Sequence, residues 1–284
     1  MKTIIKRALS LILCAAFLFT LAACGANGVP YLRHQKDNKD DSEEGDLLAR
    51  IKSRGTLIIA TEGDWAPWTY HDESDKLVGF DVEVGALIAK KLGVTPDFKE
   101  TQWDSILEGV ASGRFDLACN GVGYTEKRAE SLAFSTPYVY THKVLVVKKD
   151  NDTINSFEDL KDKTTANTAS STYAAIAEEY GAKVTPVDAL IDTLELVIQG
   201  RVDATINSQE TILDYLKEHP DANIKIVAES AGDPVCYPTA KTDDAKSFIE
   251  EVNRILEELR QSGELAALSL KYFDVDITKE SSGT

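Results

Sequence analysis

Cysteine and histidine are scarce in this sequence, and their scarcity limits the kinds of site that it can build. Among the 284 residues there are four cysteines and four histidines, and the histidines are scattered without the spacing of a metal-ligand set. Cys14 and Cys24 lie near the N-terminus, so only Cys119 and Cys236 remain for a folded region. These two either pair with each other or stay as free buried thiols. The sequence therefore excludes a disulfide scaffold, and we expect no metal and no cofactor.

Positive charge is also in short supply. The chain has 31 lysine and arginine residues against 47 aspartate and glutamate residues, which gives a formal net charge of −16 at pH 7. Removal of residues 1–23, whose only charged side chains are those of Lys2, Lys6 and Arg7, would make the charge −19. Such a surface repels phosphate backbones and anionic lipid headgroups. We therefore expect neither nucleic acid nor an electrostatically bound membrane as a partner.

Long apolar runs are missing as well. The apolar stretch at residues 8–19 is shorter than the span of about 20 residues that a transmembrane helix needs. A basic stretch precedes it and small residues follow it, which is the pattern of a secretory signal peptide. Because Cys24 follows Leu-Ala-Ala, the end of this segment resembles a bacterial lipobox. That resemblance implies cleavage before Cys24, a diacylglycerol thioether on its sulfur, and tethering outside the cell membrane. The alternative is an ordinary signal peptide with an accidental cysteine.

Beyond the signal peptide, the pattern indicates a linker and then an α/β region. Residues 24–46 are polar and charged without periodicity, which is typical of a flexible linker. An apolar strand is predicted at 56–61, followed by a helix that Asp81 caps and Gly93 ends, and another strand is predicted at 115–119. Strands that alternate with helices in this way predict a parallel, doubly wound sheet.

The pattern is repeated in the second half of the chain. Residues 112–120 read SGRFDLACN, and residues 199–207 read QGRVDATIN. In each, a helix stops at glycine and a strand follows, with Asn120 or Asn207 at its carboxyl end. Helix-to-strand junctions of this kind recur in α/β proteins, so the informative feature is that each asparagine lies at the carboxyl end of its strand. Ligands of open α/β sheets bind beyond the carboxyl ends of the strands. We therefore expect two lobes that face each other across a cleft.

The repeat sets the expected boundaries, with crossings between the lobes near 137–141 and 230–235. Residues 47–139 form the first part of lobe 1, 140–232 form lobe 2, 233–277 return to lobe 1 and carry the C-terminal helices, and 278–284 form a tail.

Several motifs occur together in an order and spacing that resemble a known family. They are LVGFD at 77–81, GRFD at 113–116, TEKR at 125–128, FSTPY at 134–138, GRVD at 200–203 and KYF at 271–273. Together the chain resembles the polar-amino-acid family of extracellular solute-binding proteins, which serve ATP-driven importers, from about residue 55 to 277. Within that family, the segments at 101–104, 120–125 and 166–173 look most like members that bind cystine or cysteine.

The resemblance implies a type II periplasmic-binding-protein-like α/β fold with a ligand cleft between two doubly wound lobes. It implies a polar amino acid as the ligand and the transmembrane subunits of an ABC permease as partners. We expect a monomer that catalyses no reaction and lies on the extracellular face of the membrane, held by the lipid on Cys24.

Arg128 is the expected partner of the ligand carboxylate. A carboxylate buried in a closed cleft needs a compensating charge, and a guanidinium matches it with two parallel hydrogen bonds. Arg128 follows the strand end at Asn120 and Gly121, and the family resemblance implies this role. Ser170, Ser171 and Thr172 precede a helix, whose N-terminal amides and hydroxyls would hold the same carboxylate from lobe 2.

Aromatic residues are expected to enclose the ligand side chain. Trp65 and Trp103 match family positions that carry aromatic rings, and such rings pack against aliphatic, amide or disulfide groups. Glu62 matches a family position that contacts the ligand side chain.

The sequence departs from the family at two positions. Ser208 stands where an aspartate usually pairs with the ligand ammonium, and Gly123 replaces a frequent threonine or serine. The ligand therefore either lacks a free ammonium or binds it through Asn120, Asn207 or Glu62. Gly121, Gly123 and Ser208 occupy family positions at the cleft, and we expect them among the ligand-binding residues as well.

Two other functions stay open at this point. Some proteins of this fold are dehydratases of cyclic prephenate-like acids, a reaction that needs an acid or base in the cleft, and Glu62 is the one strong candidate. Alternatively, closure of the lobes signals to a receptor instead of feeding import.

The lipobox generates a direct prediction. The wild-type protein should partition into the detergent phase of a Triton X-114 extract, whereas Cys24→Ser should remain uncleaved or unlipidated, because serine has no thiol to modify. Mass spectrometry of the mature N-terminus checks this. A mature chain that begins at any residue other than a lipid-modified Cys24 would contradict the expectation.

Overall fold

The computed structural model describes residues 45–280, which belong to one compact unit. The predicted signal peptide, Cys24 and nearly all of the predicted linker lie outside the described residues, as does the end of the predicted tail. No helix within residues 45–280 is long and apolar enough to cross a membrane.

The described residues form two α/β lobes, and the chain enters, leaves and re-enters the first of them. Lobe 1 begins with α1 (Leu47–Arg54), β1 (Thr56–Thr61), β2 (Asp64–Trp65), β3 (Thr69–His71), β4 (Leu77–Val78), α2 (Phe80–Leu92), β5 (Thr95–Glu100), α3 (Trp103–Ala111), β6 (Leu117–Ala118), α4 (Glu126–Ala129), β7 (Leu132–Phe134) and β8 (Val139–Thr141). Lobe 2 contains β9 (Lys143–Lys148), β10 (Thr164–Asn167), α5 (Thr172–Glu179), β11 (Lys183–Pro186), α6 (Leu190–Ile198), β12 (Ala204–Ser208), α7 (Gln209–Glu218) and β13 (Ile224–Glu229). Lobe 1 is completed by β14 (Asp233–Val235), β15 (Pro238–Ala240), α8 (Lys246–Ser262) and α9 (Glu264–Phe273).

The sheet of lobe 1 has the order β5-β1-β6, and all of its strands are parallel. β1 lies in the centre, and its side chains alternate between two apolar clusters. Leu57 and Ile59 pack on one face with α2, α8 and α9, whereas Ile58 and Ala60 pack on the other with α3. A strand covered on both faces reads as a continuous apolar run, which is why TLIIAT predicts its bounds so well.

The sheet of lobe 2 has the order β11-β10-β12-β9-β13. β9 is also buried on both faces, with Leu145 and Val147 in one cluster and Val144 and Val146 in the other. It departs from the expected parallel arrangement, because it runs antiparallel to both β12 and β13. The reason is its point of entry. β9 begins directly after the crossing from lobe 1, beside the carboxyl end of β12. Its first residue, Lys143, therefore pairs with Ser208, the last residue of β12.

The two crossings between the lobes run side by side. β8 on the outward crossing pairs antiparallel with β14 on the return crossing, so that Val139 faces Val235. Next to this pair, the rings of Tyr138 and Tyr237 stack with their centroids 3.9 Å apart, and both side chains are fully buried. The two lobes are therefore connected by a short antiparallel pair of strands, with a stack of two tyrosine rings directly beside it.

Asp81 ties this stack to the rest of lobe 1, and its predicted role as a helix cap is wrong. The N-cap of α2 is Gly79, and Asp81 lies in the first turn with no exposed surface. Its Oδ1 accepts hydrogen bonds from Tyr138 Oη at 2.7 Å and from Tyr237 Oη at 2.9 Å, and its Oδ2 accepts one from the Gly121 amide at 2.5 Å. One buried carboxyl group thus links α2 to both crossings and to the end of β6.

The buried Asp81 generates a prediction for the pH dependence of stability. Burial raises the pKa of Asp81 to about 6, although its three hydrogen-bond donors lower it. Because the pKa of Asp81 is higher in the folded state than in the unfolded state, its contribution to the free energy of unfolding is fully present below about pH 4. That contribution is lost as the pH rises through 6. Between pH 4 and pH 7, the free energy of unfolding of the wild type should therefore fall by about 2–3 kcal/mol relative to that of Asp81→Asn. Urea unfolding at several pH values measures this difference.

Asp150→Asn, at an exposed aspartate of lobe 2, is the matched control, and it should leave the pH profile of the wild type unchanged. A wild type that gains stability over Asp81→Asn as the pH rises from 4 to 7 would show that the three donors outweigh burial, against the expectation.

Candidate functional site

The cleft between the lobes lies where the carboxyl ends of β1 and β6 face those of β10 and β12. Both lobes contribute to its wall. Lobe 1 supplies Glu62, Asp64, Trp65, Trp103, Asn120, Gly121, Gly123 and Arg128, and lobe 2 supplies Asn167, Thr168, Ser171, Thr172, Tyr173, Asp188, Leu190, Thr193 and Asn207.

Ten of the twelve residues that the sequence singled out as binding residues lie in this wall, and Ser170 and Ser208 do not. Ser170 lies beside it, where its hydroxyl donates to Asp104 across the cleft. Ser208 is fully buried and caps α7, accepting a hydrogen bond from the Thr211 amide at 3.3 Å. Its hydroxyl also faces the indole N–H of Trp68 at 3.4 Å. Ser208 therefore lies outside this wall, and its hydroxyl caps α7.

Arg128 extends from α4, a short helix that Thr125 caps by accepting a hydrogen bond from the Arg128 amide. Its Nη1 donates to the carbonyl oxygen of Gly123 at 2.8 Å in lobe 1, and its Nη2 donates to that of Ser170 at 3.2 Å in lobe 2. The guanidinium also lies over the ring of Trp103, at 5.1 Å from the centroid. Its main-chain and aromatic partners therefore come from both sides of the cleft.

Among the residues that the structure describes, no carboxylate balances the positive charge on Arg128. Burial lowers the pKa of Arg128 to about 10, and no carboxylate within residues 45–280 opposes that effect. Since Ser170 directly precedes the N-cap of α5, the guanidinium also lies close to the amino end of that helix, where backbone dipoles add positive potential. This end of the cleft is suited to an anion.

Glu62 belongs to the acidic part of the cleft, and Asn120 holds it in place. The Asn120 Nδ2 donates to Glu62 Oε2 at 2.6 Å, and its Oδ1 accepts from the Glu62 amide at 2.8 Å. Burial raises the pKa of Glu62 to about 7, with a further rise from the charges of Asp64 and Asp188. Both ends of the Asn120 amide thus bond to Glu62 within lobe 1, which fixes the position of the Glu62 carboxyl group.

The position of the Trp65 ring in the cleft wall depends on close packing around a glycine. The rings of Trp65 and Trp68 stack with centroids 5.4 Å apart, and Trp68 is fully buried in the core of lobe 1. Gly121 has a φ of +55°, and a Cβ atom there would lie 2.6 Å from the Trp65 ring. Any larger residue would therefore move the ring that borders the cleft. At Gly123, by contrast, the nearest atom to such a Cβ is 3.9 Å away.

Two polar atoms in this wall are buried without a hydrogen-bond partner among the described residues: the indole N–H of Trp103 and the Oδ1 of Asn167. Asn167 uses its Nδ2 to donate to the Ile206 carbonyl oxygen at 2.7 Å, which fixes the side chain and directs the acceptor oxygen away from that bond. Buried polar atoms nearly always have partners. A donor and an acceptor are therefore available to a ligand at these two positions.

Sequence reasoning missed seven residues of the wall, which are Asp64, Asn167, Thr168, Tyr173, Asp188, Leu190 and Thr193. Asn167 is the last residue of β10, and Asn120 and Asn207 lie at the carboxyl ends of β6 and β12. The expectation that ligands bind beyond the carboxyl ends of strands therefore applies to Asn167 as well. Asp188 lies in the loop after β11, where the same rule applies. Asp64 lies on a two-residue strand that has no signal in the sequence pattern.

Several contacts join the lobes around the cleft. Besides the Arg128 and Asp104 bonds to Ser170, Lys217 on α7 and Asp274 after α9 form an ion pair at 2.7 Å. The two lobes are therefore closed around the cleft, and Arg128 contacts both of them.

The family model for bacterial extracellular solute-binding proteins, family 3, matches residues 57–275. The chain is 40% identical over 275 residues to the L-cystine-binding protein TcyA of Bacillus subtilis, covering 96% of this chain and 100% of that protein.

Two solved structures bear on the arrangement of the lobes. An unliganded, open L-cystine solute receptor of Neisseria gonorrhoeae is 39% identical, with a TM-score of 0.57 over 83% of this chain and 100% of that one. An ancestral arginine-binding protein bound to arginine is 36% identical, with a TM-score of 0.72 over 78% of this chain and 99% of that one. The liganded structure is the better match although its sequence is less similar, which agrees with the closed arrangement of the lobes.

Proposed function

The chain belongs to family 3 of the bacterial extracellular solute-binding proteins, and from this premise we propose that it binds L-cystine between its lobes as the lipid-anchored component of an ATP-driven amino-acid importer. The family is extracellular and its members bind solutes, so the chain is a binding protein and not an enzyme. The dehydratase alternative is thereby set aside.

The observation that carries the proposal is the partly buried guanidinium of Arg128, which has no anionic partner within residues 45–280. A buried charge without a counter-charge is costly, and a carboxylate on the ligand supplies one with matching two-pronged geometry. A guanidinium has five N–H donors, and two carbonyl oxygens leave several of them for the ligand. An α-amino acid whose carboxylate lies on Arg128 would join the two lobes through one group.

The choice of cystine rests on the relatives and on the shape of the wall. The B. subtilis relative, which is similar over nearly the whole chain, is named for L-cystine. The rings of Trp65 and Trp103 border the cleft and offer flat, polarizable surfaces to a disulfide. Cystine also has polar groups at both ends, and the polar residues of the wall extend well beyond Arg128.

Binding then acts through the equilibrium between open and closed lobes. A ligand that contacts both lobes stabilises the closed form by its difference in affinity for the two forms. The closed form would dock on the transmembrane subunits of the importer and deliver the amino acid. The lipid on Cys24, which the lipobox supports, would keep the protein at the membrane near that permease.

Substitution of Arg128 tests this function. Calorimetric titration with L-cystine should show that Arg128→Ala lowers the affinity by a factor of about 30 or more, the usual cost of removing one partner of a buried charge pair. Arg128→Lys should not restore the affinity, because an ammonium does not reproduce the planar, two-pronged geometry.

Arg114→Ala is the matched control, because Arg114 is an exposed arginine of lobe 1 that bonds to the Ser105 carbonyl oxygen and stays outside the cleft wall. It should bind L-cystine as the wild type does. Near-native affinity in a folded Arg128→Ala would mean that the carboxylate binds elsewhere, and failure of the wild type to bind L-cystine would reject this ligand.

A further inference from the structure

An acidic groove continues outward from the cleft. It has a volume of about 710 Å³ and shares Glu62, Asp64 and Asp188 with the inner wall. Glu100 and Asp192 add two further carboxylates, and its other lining residues are Thr101, Gln102, Pro186, Val187 and Ala189. Five carboxylates therefore line this groove without a lysine, arginine or histidine among the residues of its wall.

The carboxylates come from opposite lobes. Glu62, Asp64 and Glu100 belong to lobe 1, and Asp188 and Asp192 belong to lobe 2. The loop that carries Asp188 is fixed to the end of β10, because the Val187 amide donates to the Asn167 carbonyl oxygen at 3.2 Å and the Thr168 hydroxyl faces the Asp188 carbonyl oxygen at 3.3 Å. Closure of the lobes thus brings acidic groups toward each other on rigid supports.

This arrangement opposes closure unless a cation intervenes. Burial raises the pKa of Asp64, and the charge of Asp188 across the cleft raises it further. Both carboxylates also raise the pKa of Glu62. Like charges that approach each other in a partly desolvated cleft repel, and an intervening positive group would turn each of these interactions into an attraction.

Asn167 gives an independent indication of what binds here. Its side chain is only 2% exposed, its Oδ1 has no partner among the described residues, and it lines the cleft beside the loop that holds Asp188. An unpartnered acceptor calls for a hydrogen-bond donor. Within residues 45–280, no group of three or more His, Cys, Asp or Glu side chains is arranged to hold a metal ion, so an organic cation fits better than a metal.

We propose that Glu62, Asp64 and Asp188, together with the Oδ1 of Asn167, form a second subsite that receives an ammonium group at the distal end of the ligand. The inference rests on the proposed function, since it assumes that Arg128 holds the carboxylate of the first amino-acid head. It narrows the ligand class to amino acids with a second protonated amine, among which L-cystine is one. The distal ammonium would bridge Asp64 of lobe 1 and Asp188 of lobe 2, so that closure selects ligands that carry it.

Two mixed disulfides test the subsite. Cysteine joined to cysteamine keeps a distal ammonium and lacks the distal carboxylate, whereas cysteine joined to 3-mercaptopropionate keeps the carboxylate and lacks the ammonium. The first head is identical in both. By calorimetry, the wild type should bind the cysteamine compound at least about 30-fold more tightly than the mercaptopropionate compound, the scale of losing one partner of a buried charge contact.

Variants identify the residues responsible. Asp188→Asn should weaken binding of L-cystine and of the cysteamine compound about tenfold or more, and should bring the two mixed disulfides close to equal affinity. Asp192→Asn is the matched control, since Asp192 lines only the outer groove and lies on the helix that follows Asp188. It should preserve the ratio between the two disulfides. Thermal unfolding of each variant verifies that the lobes remain folded.

The outcomes separate the two proposals. Equal affinity of the wild type for the two mixed disulfides, or an unchanged ratio in Asp188→Asn, would overturn the subsite while leaving L-cystine binding in place. If the wild type binds neither L-cystine nor the mixed disulfides, cystine fails as the ligand, and thermal shifts with L-lysine and L-norleucine then decide the subsite. A larger shift with L-lysine supports it, and equal shifts or none overturn it.

Discussion

The partial burial of one positive charge between two lobes is the constraint on which the closed structure depends. Arg128 reaches a carbonyl oxygen of each lobe, at Gly123 and at Ser170, and the ring of Trp103 covers it. Carbonyl oxygens stabilise a guanidinium less than a carboxylate does, so the closed lobes hold a charge that is only partly compensated. The short helix α4, capped by Thr125, keeps the side chain at this position. A binding protein needs such an imbalance, because closure must depend on what the ligand brings.

The connection between the lobes is stabilised separately from the cleft. Asp81 accepts hydrogen bonds from Tyr138 and Tyr237 at the base of the crossings and from the amide of Gly121 at the cleft wall. Gly121 in turn leaves room for the ring of Trp65, because any Cβ atom there would collide with it. The Asp81 carboxyl group therefore fixes both the start of the two crossings and the glycine against which the Trp65 ring packs. Beyond that point the two crossings continue as the paired strands β8 and β14.

Much of this fold follows from local patterns in the sequence. The bounds of β1 are those that the apolar run TLIIAT predicts, α2 ends at Gly93 in a left-handed conformation, and Ser156 and Asp159 form a capping box around a short 3-10 turn. Patterns of this kind do not identify long-range partners. An aspartate near a helix start resembles a cap, and nothing local shows that Asp81 is buried against two tyrosines from distant parts of the chain. For the same reason, the local pattern shows neither that Ser208 caps α7 nor that β9 runs antiparallel to its neighbours. The strand-end rule places Asn120 near the site, but its two hydrogen bonds to Glu62 depend on the folded geometry and have no local signal.

The two ends of the cleft differ in charge, with Arg128 and the amino end of α5 on one side and the carboxylates around Asp188 on the other. We infer that the first of these ends holds a ligand carboxylate, and a crystal structure of the protein with L-cystine would show this contact. In that structure we expect one carboxylate of the ligand to lie about 2.7–3.2 Å from two nitrogens of the Arg128 guanidinium, in a plane with it. A closed complex in which Arg128 still bonds only to the carbonyl oxygens of Gly123 and Ser170, with the ligand carboxylate bound elsewhere, would contradict it.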